Sequence, residues 1–152
     1  MLNAGMVALF PKTINLLNMQ KLILLIDNDK EEFLILKEAI GLARLSHICA
    51  WADSIERAEQ LLKHMLPDLI LVDYNMPKCN GIACLERLRS IDLLRNVEIV
   101  MYSNYVTDIN YELTLSNGES SIQKTGSLVQ LAQYFLKITA EQKYYTAKTK
   151  TG

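Results

Sequence analysis

Four residues have the types and placement to do chemistry together: Asp27, Asp73, Ser103 and Lys124. Asp27 closes the apolar run Leu22-Ile23-Leu24-Leu25-Ile26, and Asp73 closes Leu69-Ile70-Leu71-Val72. Ser103 follows Ile99-Val100-Met101-Tyr102, and Lys124 ends the more polar Ser120-Ser121-Ile122-Gln123. Short branched runs bounded by turn signals read as strands, and runs without polar alternation suit a parallel sheet covered on both faces. The carboxyl ends of parallel strands share one edge, where open α/β sheets hold their ligands. Two carboxylates meeting there repel by roughly 4 kcal/mol at an effective dielectric near 20. A divalent cation among them relieves that repulsion. Oxygen ligands with open water positions favour Mg²⁺, which is commonly held by one or two carboxylates plus a phosphate.

Helices must connect these strands. Strands are expected over 21–26, 47–52, 68–73, 97–102 and 120–124. Amphipathic helices are expected over 30–44, from 53 or 54 to 65, and over 82–94, 108–115 and 126–138, the last running on towards 145. Asp29 is placed to cap the first helix and Asp53 or Ser54 the second. The fifth strand is polar, as an edge strand can be. Five strands alternating with helices give a doubly wound parallel α/β sheet. Right-handed crossovers restrict its topology.

The chain has 152 residues, 50% hydrophobic and 22% charged, which suits one domain with a real core. A net charge of −1 gives no electrostatic case for nucleic-acid binding. No apolar run approaches the roughly 20 residues of a membrane span. Cys49, Cys79 and Cys84 show no metal-binding spacing, and an odd count without an export signal points to reduced thiols in a cytoplasm. Cys79 reads as a plain thiol, and His47 and His64 as surface or strand residues. Residues 1–19 read as a poorly ordered extension or a lead-in helix, 20–140 as the domain, and 141–152 as a C-terminal tail, frayed over 146–152.

The segment Asp73-x-x-Met76-Pro77-x-x-Asn80-Gly81 resembles the phosphoacceptor loop of response-regulator receiver domains, the family of the chemotaxis protein CheY. The resemblance spans about 21–138. It implies the flavodoxin-like strand order 2-1-3-4-5 and a single-domain regulator of a two-component phosphorelay. Asp73 would take a phosphoryl group from a histidine kinase or phosphotransfer protein, with output by protein–protein contact through the fourth-strand to fifth-strand face. It further implies Mg²⁺ held by Asp27, Asp73 and the Asn75 backbone carbonyl. Lys124 and Ser103 would contact the phosphoryl oxygens. Such a domain is a phosphoacceptor rather than an enzyme.

The chain departs from the family pattern in places. The second acid after the first strand is Asn28, so Asn28 or Asp29 would have to help hold the metal. Losing an anion should weaken Mg²⁺; even outer-shell losses cost on the order of tenfold to a hundredfold. The aromatic three residues before the lysine is Ser121, and the proline after it is Thr125. Tyr102 and Tyr105 flank the site and are candidates to replace that aromatic. A receiver-like binding module working without phosphorylation is therefore the competing expectation. Leu24-Leu25-Ile26-Asp27-x-Asp29 also resembles the nucleophile motif of haloacid-dehalogenase-type phosphatases. That family needs a paired acid motif after its lysine, and only Glu141 follows Lys124.

Overall fold

The computed structural model describes residues 19–104, 120–124 and 127–149, with side chains described only as far as 141. Five parallel strands form one sheet in the order β2-β1-β3-β4-β5: β1 Leu22–Ile26, β2 Ile48–Ala52, β3 Leu69–Asp73, β4 Glu98–Ser103 and β5 Ser120–Gln123. The described helices are α1 Lys30–Leu42, α2 Ile55–Leu62, α3 Gly81–Arg89 and α4 Leu128–Thr149, with a 3-10 turn at Asp92–Leu94. This is the expected doubly wound α/β fold and strand order. The expected helix over 108–115, and the expectations placed on residues 1–18, Tyr105 and Thr125, fall outside the described residues.

Strand side chains alternate between two faces. Leu24, Ile26, Ile70, Val72, Ile99 and Met101 pack under α2 and α3, against Ile55, Ala58, Leu85 and Leu88. Ile23, Leu25, Leu69, Leu71, Val100 and Tyr102 pack under α1 and α4, against Leu36, Ile40, Leu131 and Phe135. Burying apolar surface on both faces is the main stabilising term, worth about 25 cal/mol per Å². It explains why β3 is buried at every position. The polar β5 lies at the sheet edge, paired only with β4.

Several element ends differ from expectation for local reasons. Helix α1 stops at Leu42 rather than Arg44 because Arg44 turns into the left-handed region, at φ 54°. There Leu45 N–H donates to Ile40 O and Arg44 N–H to Gly41 O. That pair of bonds is a Schellman stop, and buried Leu45 supplies its apolar contact. Ser54, not Asp53, caps α2 through Arg57 N–H, and α2 ends at Leu62. The helix expected over 82–94 divides, because Ser90 Oγ donates back to Arg87 O at 2.6 Å and Ile91 is extended. Helix α4 starts after Ser127, whose hydroxyl accepts from Gln130 N–H, and it runs past the expected 145 to Thr149, into the segment expected to fray. The tail holds no glycine or proline before Gly152, so no helix breaker stands in its way.

His47 ties three elements together. Its Nδ1 accepts from Lys21 N–H at 3.2 Å, so Nε2 carries the proton and donates to Thr139 Oγ1 at 2.9 Å. Thr139 in turn donates to Phe135 O in α4. Burial, helped by the Lys21 charge and opposed by Asp68, lowers the imidazole pKa from its ordinary 6.5. The unfolded chain therefore binds this proton more readily than the folded one. The His47 contribution is fully present above pH 6.5 and is lost as the pH falls through the lower folded-state value. Urea midpoints should drop through that window in the wild type, and His47→Gln should flatten the drop. Parallel profiles for the two proteins would refute the assignment.

Candidate functional site

Strand parity builds the site. Asp27 continues the alternation Ile23-Leu25-Asp27, Asp73 continues Leu69-Leu71-Asp73, and Lys124 continues Ile122-Lys124. All three therefore emerge on the face covered by α1 and α4. Ile26 pairs with Val72, so Asp27 and Asp73 leave adjacent strands side by side. Lys124 starts two strands away and reaches back over β4. Its ammonium lies 5.3 Å from the centre of the Tyr102 ring, a cation–π floor beneath the charge.

The ammonium Nζ sits 2.6 Å from Asp27 Oδ2 and 3.5 Å from Asp73 Oδ1. All three side chains are withdrawn from water, at 7% exposure for Lys124, 1% for Asp27 and 8% for Asp73. Burial raises the Asp27 pKa, opposed by the hydrogen bonds from Lys124 and from Asp29 N–H. Burial alone would lower the Lys124 pKa, but the Asp27 hydrogen bond and the charges of Asp27, Asp73 and Glu32 raise it. The ammonium is thus held charged.

Backbone donors complete the pocket. Asp29 N–H donates to Asp27 Oδ1 at 2.8 Å, and Asn75 N–H donates to Asp73 Oδ1 at 3.2 Å. The Asn75 amide also donates to Ser103 Oγ at 3.4 Å, so Ser103 joins the cluster through Asn75. Gly81 is fixed by a close approach. A Cβ there would run into Met101 Cε and lie 2.8 Å from Tyr74 Cα, while Gly81 N–H donates to Tyr74 O at 2.9 Å. Asn80 caps α3 through Ala83 N–H at 2.9 Å and bridges to Asn75, which closes the loop.

The remaining residues expected here sit further out. Asp29 is exposed, and its side chain caps α1 through Glu31 N–H. Asn28 is exposed and lines an open cleft of about 280 Å³ with Asp53, Met76, Pro77, Lys78 and Cys79. Ser121 is half-buried in β5 opposite Met101. Tyr102 flanks the site from below the Lys124 ammonium. It is fully buried, and its hydroxyl donates to Glu32 Oε2 at 3.2 Å.

Two participants escaped the sequence reading. Glu32, in the first turn of α1, has its carboxyl pKa raised by burial, against the pull of Lys124. Trp51, the one tryptophan of the chain, donates from Nε1 to Asp27 O at 2.8 Å and stacks on Phe33. For Trp51 the available signal is a lone tryptophan in the strand beside β1.

The donor set suits a hard cation, since two carboxylates face one pocket among oxygen and N–H groups. Among the described residues, no group of three or more Asp, Glu, His or Cys side chains is arranged to hold a metal. A cation here would therefore rest on two carboxylates, backbone oxygen and water.

Lys124→Met would leave two buried carboxylates without their cation. Breaking a buried pair from one side costs about 3–5 kcal/mol. We expect a fall of that order in urea-unfolding free energy, with part of it recovered by adding Asp27→Asn. A single variant that unfolds at the wild-type midpoint would contradict the buried pair.

Comparison with known proteins identifies the family and the fold. Residues 23–135 match the response regulator receiver domain family. The chain is 33% identical over 87 residues to the nitrate/nitrite response regulator NarL of Escherichia coli K12, covering 57% of this chain and 40% of that protein. It is 31% identical over 96 residues to the probable C4-dicarboxylate response regulator DctR of Bacillus subtilis, covering 63% of this chain and 42% of that one. The chain thus spans about two fifths of the length of these curated relatives. Its fold superposes on the phosphorylated cyanobacterial phytochrome response regulator RcpA with a TM-score of 0.68 at 24% identity, covering 78% of this chain and 91% of that one. A Thermotoga maritima response regulator gives 0.69 at 20% identity, covering 80% and 99%. The Mn²⁺-bound form of response regulator Rcp1 gives 0.63 at 20% identity, covering 75% and 88%. With the family match over 23–135 and this fold, the chain belongs to the response regulator receiver domain family.

Proposed function

We propose that this receiver domain accepts a phosphoryl group on Asp73 from a phosphohistidine of a histidine kinase or phosphotransfer protein. One observation carries the reading. Asp73 is a nearly buried carboxylate held by Lys124 and Asn75 N–H on the same oxygen, Oδ1. We take Oδ2 as the nucleophile. In-line attack forms the O–P bond as the N–P bond breaks, and the imidazole leaves with the electron pair of that bond. Lys124 shifts from Asp27 towards the phosphoryl oxygens, and Ser103 Oγ–H donates to one of them. Asp27, Asp73 and the Asn75 carbonyl would hold Mg²⁺, with water in the remaining positions. When bound, Mg²⁺ neutralises charge on the phosphoryl oxygens.

Receiver domains are signalling domains, so the chemistry is self-phosphorylation and its reversal rather than turnover of a substrate. Output would pass to a downstream protein by contact at the face carrying β4 and β5, in the cytoplasm. No helix among the described residues is long and apolar enough to cross a membrane. A binding module acting without phosphorylation is the second reading. It is favoured by Ser121 in place of the family aromatic and by the commitment of Tyr102 to Glu32.

Acetyl phosphate with Mg²⁺, read by intact mass, separates the two readings. We expect the wild type to gain one phosphoryl group and Asp73→Asn to gain none. Unmodified wild-type protein under conditions that label an ordinary receiver would leave only the second reading.

A further inference from the structure

The acceptor loop enters α3 through two cysteines in a specific relation. Asn80 is the N-cap of α3, which makes Cys79 the residue before the cap and Cys84 the fourth helical residue. In many helices these two positions hold a pair of apolar side chains that pack together and fix the entry angle of the chain. Here both are thiols, and Cys84 Sγ donates to Cys79 Sγ across 2.8 Å. Neither has to cross a strand or leave its element to reach the other. Cys84 is completely buried under the sheet, whereas Cys79 is half-buried and lines the open cleft beside Asn28, Pro77 and Lys78. A small oxidant can therefore meet Cys79 from solvent, while Cys84 waits behind it. Cys49 lies on the opposite face of the sheet, packed with the α1 and α4 cluster, and is not part of this pair.

We propose that Cys79 and Cys84 are a modification site: a reversible intramolecular disulfide, formed by a peroxide, that locks the loop following Asp73 onto α3. The Cys79 thiolate attacks a peroxide oxygen, the O–O bond breaks, and a sulfenic acid and hydroxide result. The Cys84 sulfur then attacks the Cys79 sulfur and the S–O bond breaks. The sulfenic oxygen leaves as water with the Cys84 proton, and the thiolate's missing proton balances the hydroxide. Overall, two thiols and one hydrogen peroxide give one disulfide and two waters, with sulfur oxidised and peroxide reduced. A dithiol reductant reverses the change by exchange.

The covalent staple replaces a contact that can open with one that cannot. It would hold the Asn80 cap on Ala83 N–H and the Asn75–Asn80 bridge in register. Asn75 N–H would then stay fixed on Asp73 Oδ1.

The test needs no phosphoryl donor, so its outcome is separate from the reading of Asp73. The full chain is treated with equimolar hydrogen peroxide and read by intact mass and peptide mapping. We expect the loss of two hydrogens, a crosslink between the peptides holding Cys79 and Cys84, and recovery of both thiols with dithiothreitol. Cys79→Ser and Cys84→Ala should each abolish the two-hydrogen loss, while Cys49→Ser should keep it. Because Cys84→Ala alters a buried position, hydrogen exchange on the wild type provides a second reading, with the amides of Asn80 to Cys84 slowed in the oxidised form. Oxygen addition at Cys79 without a crosslink, a crosslink involving Cys49, or a disulfide-linked dimer would each overturn the proposal.

Discussion

A single buried ammonium decides what this sheet edge can be. Asp27 and Asp73 emerge from adjacent strands on the same face, and both are nearly withdrawn from water. Two such carboxylates cannot stay ionised side by side without a positive partner. Lys124 supplies it, at 2.6 Å from one and 3.5 Å from the other. The lysine gets there only because β5 lies two strands from β3 and because the flat Tyr102 ring offers its face as a floor. Strand order, strand parity and the aromatic ring near the carboxyl end of β4 therefore serve one electrostatic requirement.

The same cluster is unevenly shared, and that asymmetry matters for function. Lys124 lies closer to Asp27 than to Asp73, while Asp73 also draws on the Asn75 N–H. A new anion on Asp73 would compete with Asp27 for the ammonium. Any movement of Lys124 is felt by the Tyr102 ring and, through the Tyr102 hydroxyl, by Glu32 at the start of α1. The network therefore joins the pocket to α1, without the aromatic that the family ordinarily carries at the position of Ser121.

Much of this was legible in the residues. Strands β1, β3 and β4 are legible as branched apolar runs, because a sheet buried on both faces leaves a signal independent of helix packing, whereas the edge strand β5 shows only a short polar segment. Asp27, Asp73 and Lys124 could be grouped since strand ends share an edge whatever the loops do. What stayed hidden depends on the rotation of helices about their own axes. Glu32 reaches Tyr102 only because of how α1 seats on the sheet, and no spacing within α1 announces it. The thiol pair was missed for a related reason: six residues around a helix cap look like a loop until the cap is assigned to Asn80. Helix ends were shifted by single hydrogen bonds, such as the Ser90 hydroxyl on Arg87 O, which periodicity does not encode.

The most direct measurement is a backbone and lysine-side-chain NMR titration with Mg²⁺ and then beryllofluoride, a stable mimic of an acyl phosphate. The account predicts that the Lys124 ammonium and the amides of Asp29, Asn75 and Lys124 shift together and saturably, while Lys37 and Lys63 on the outer helices stay unmoved. Shifts that cluster elsewhere, or none at saturating ligand, would contradict a single site built by Asp27, Asp73 and Lys124.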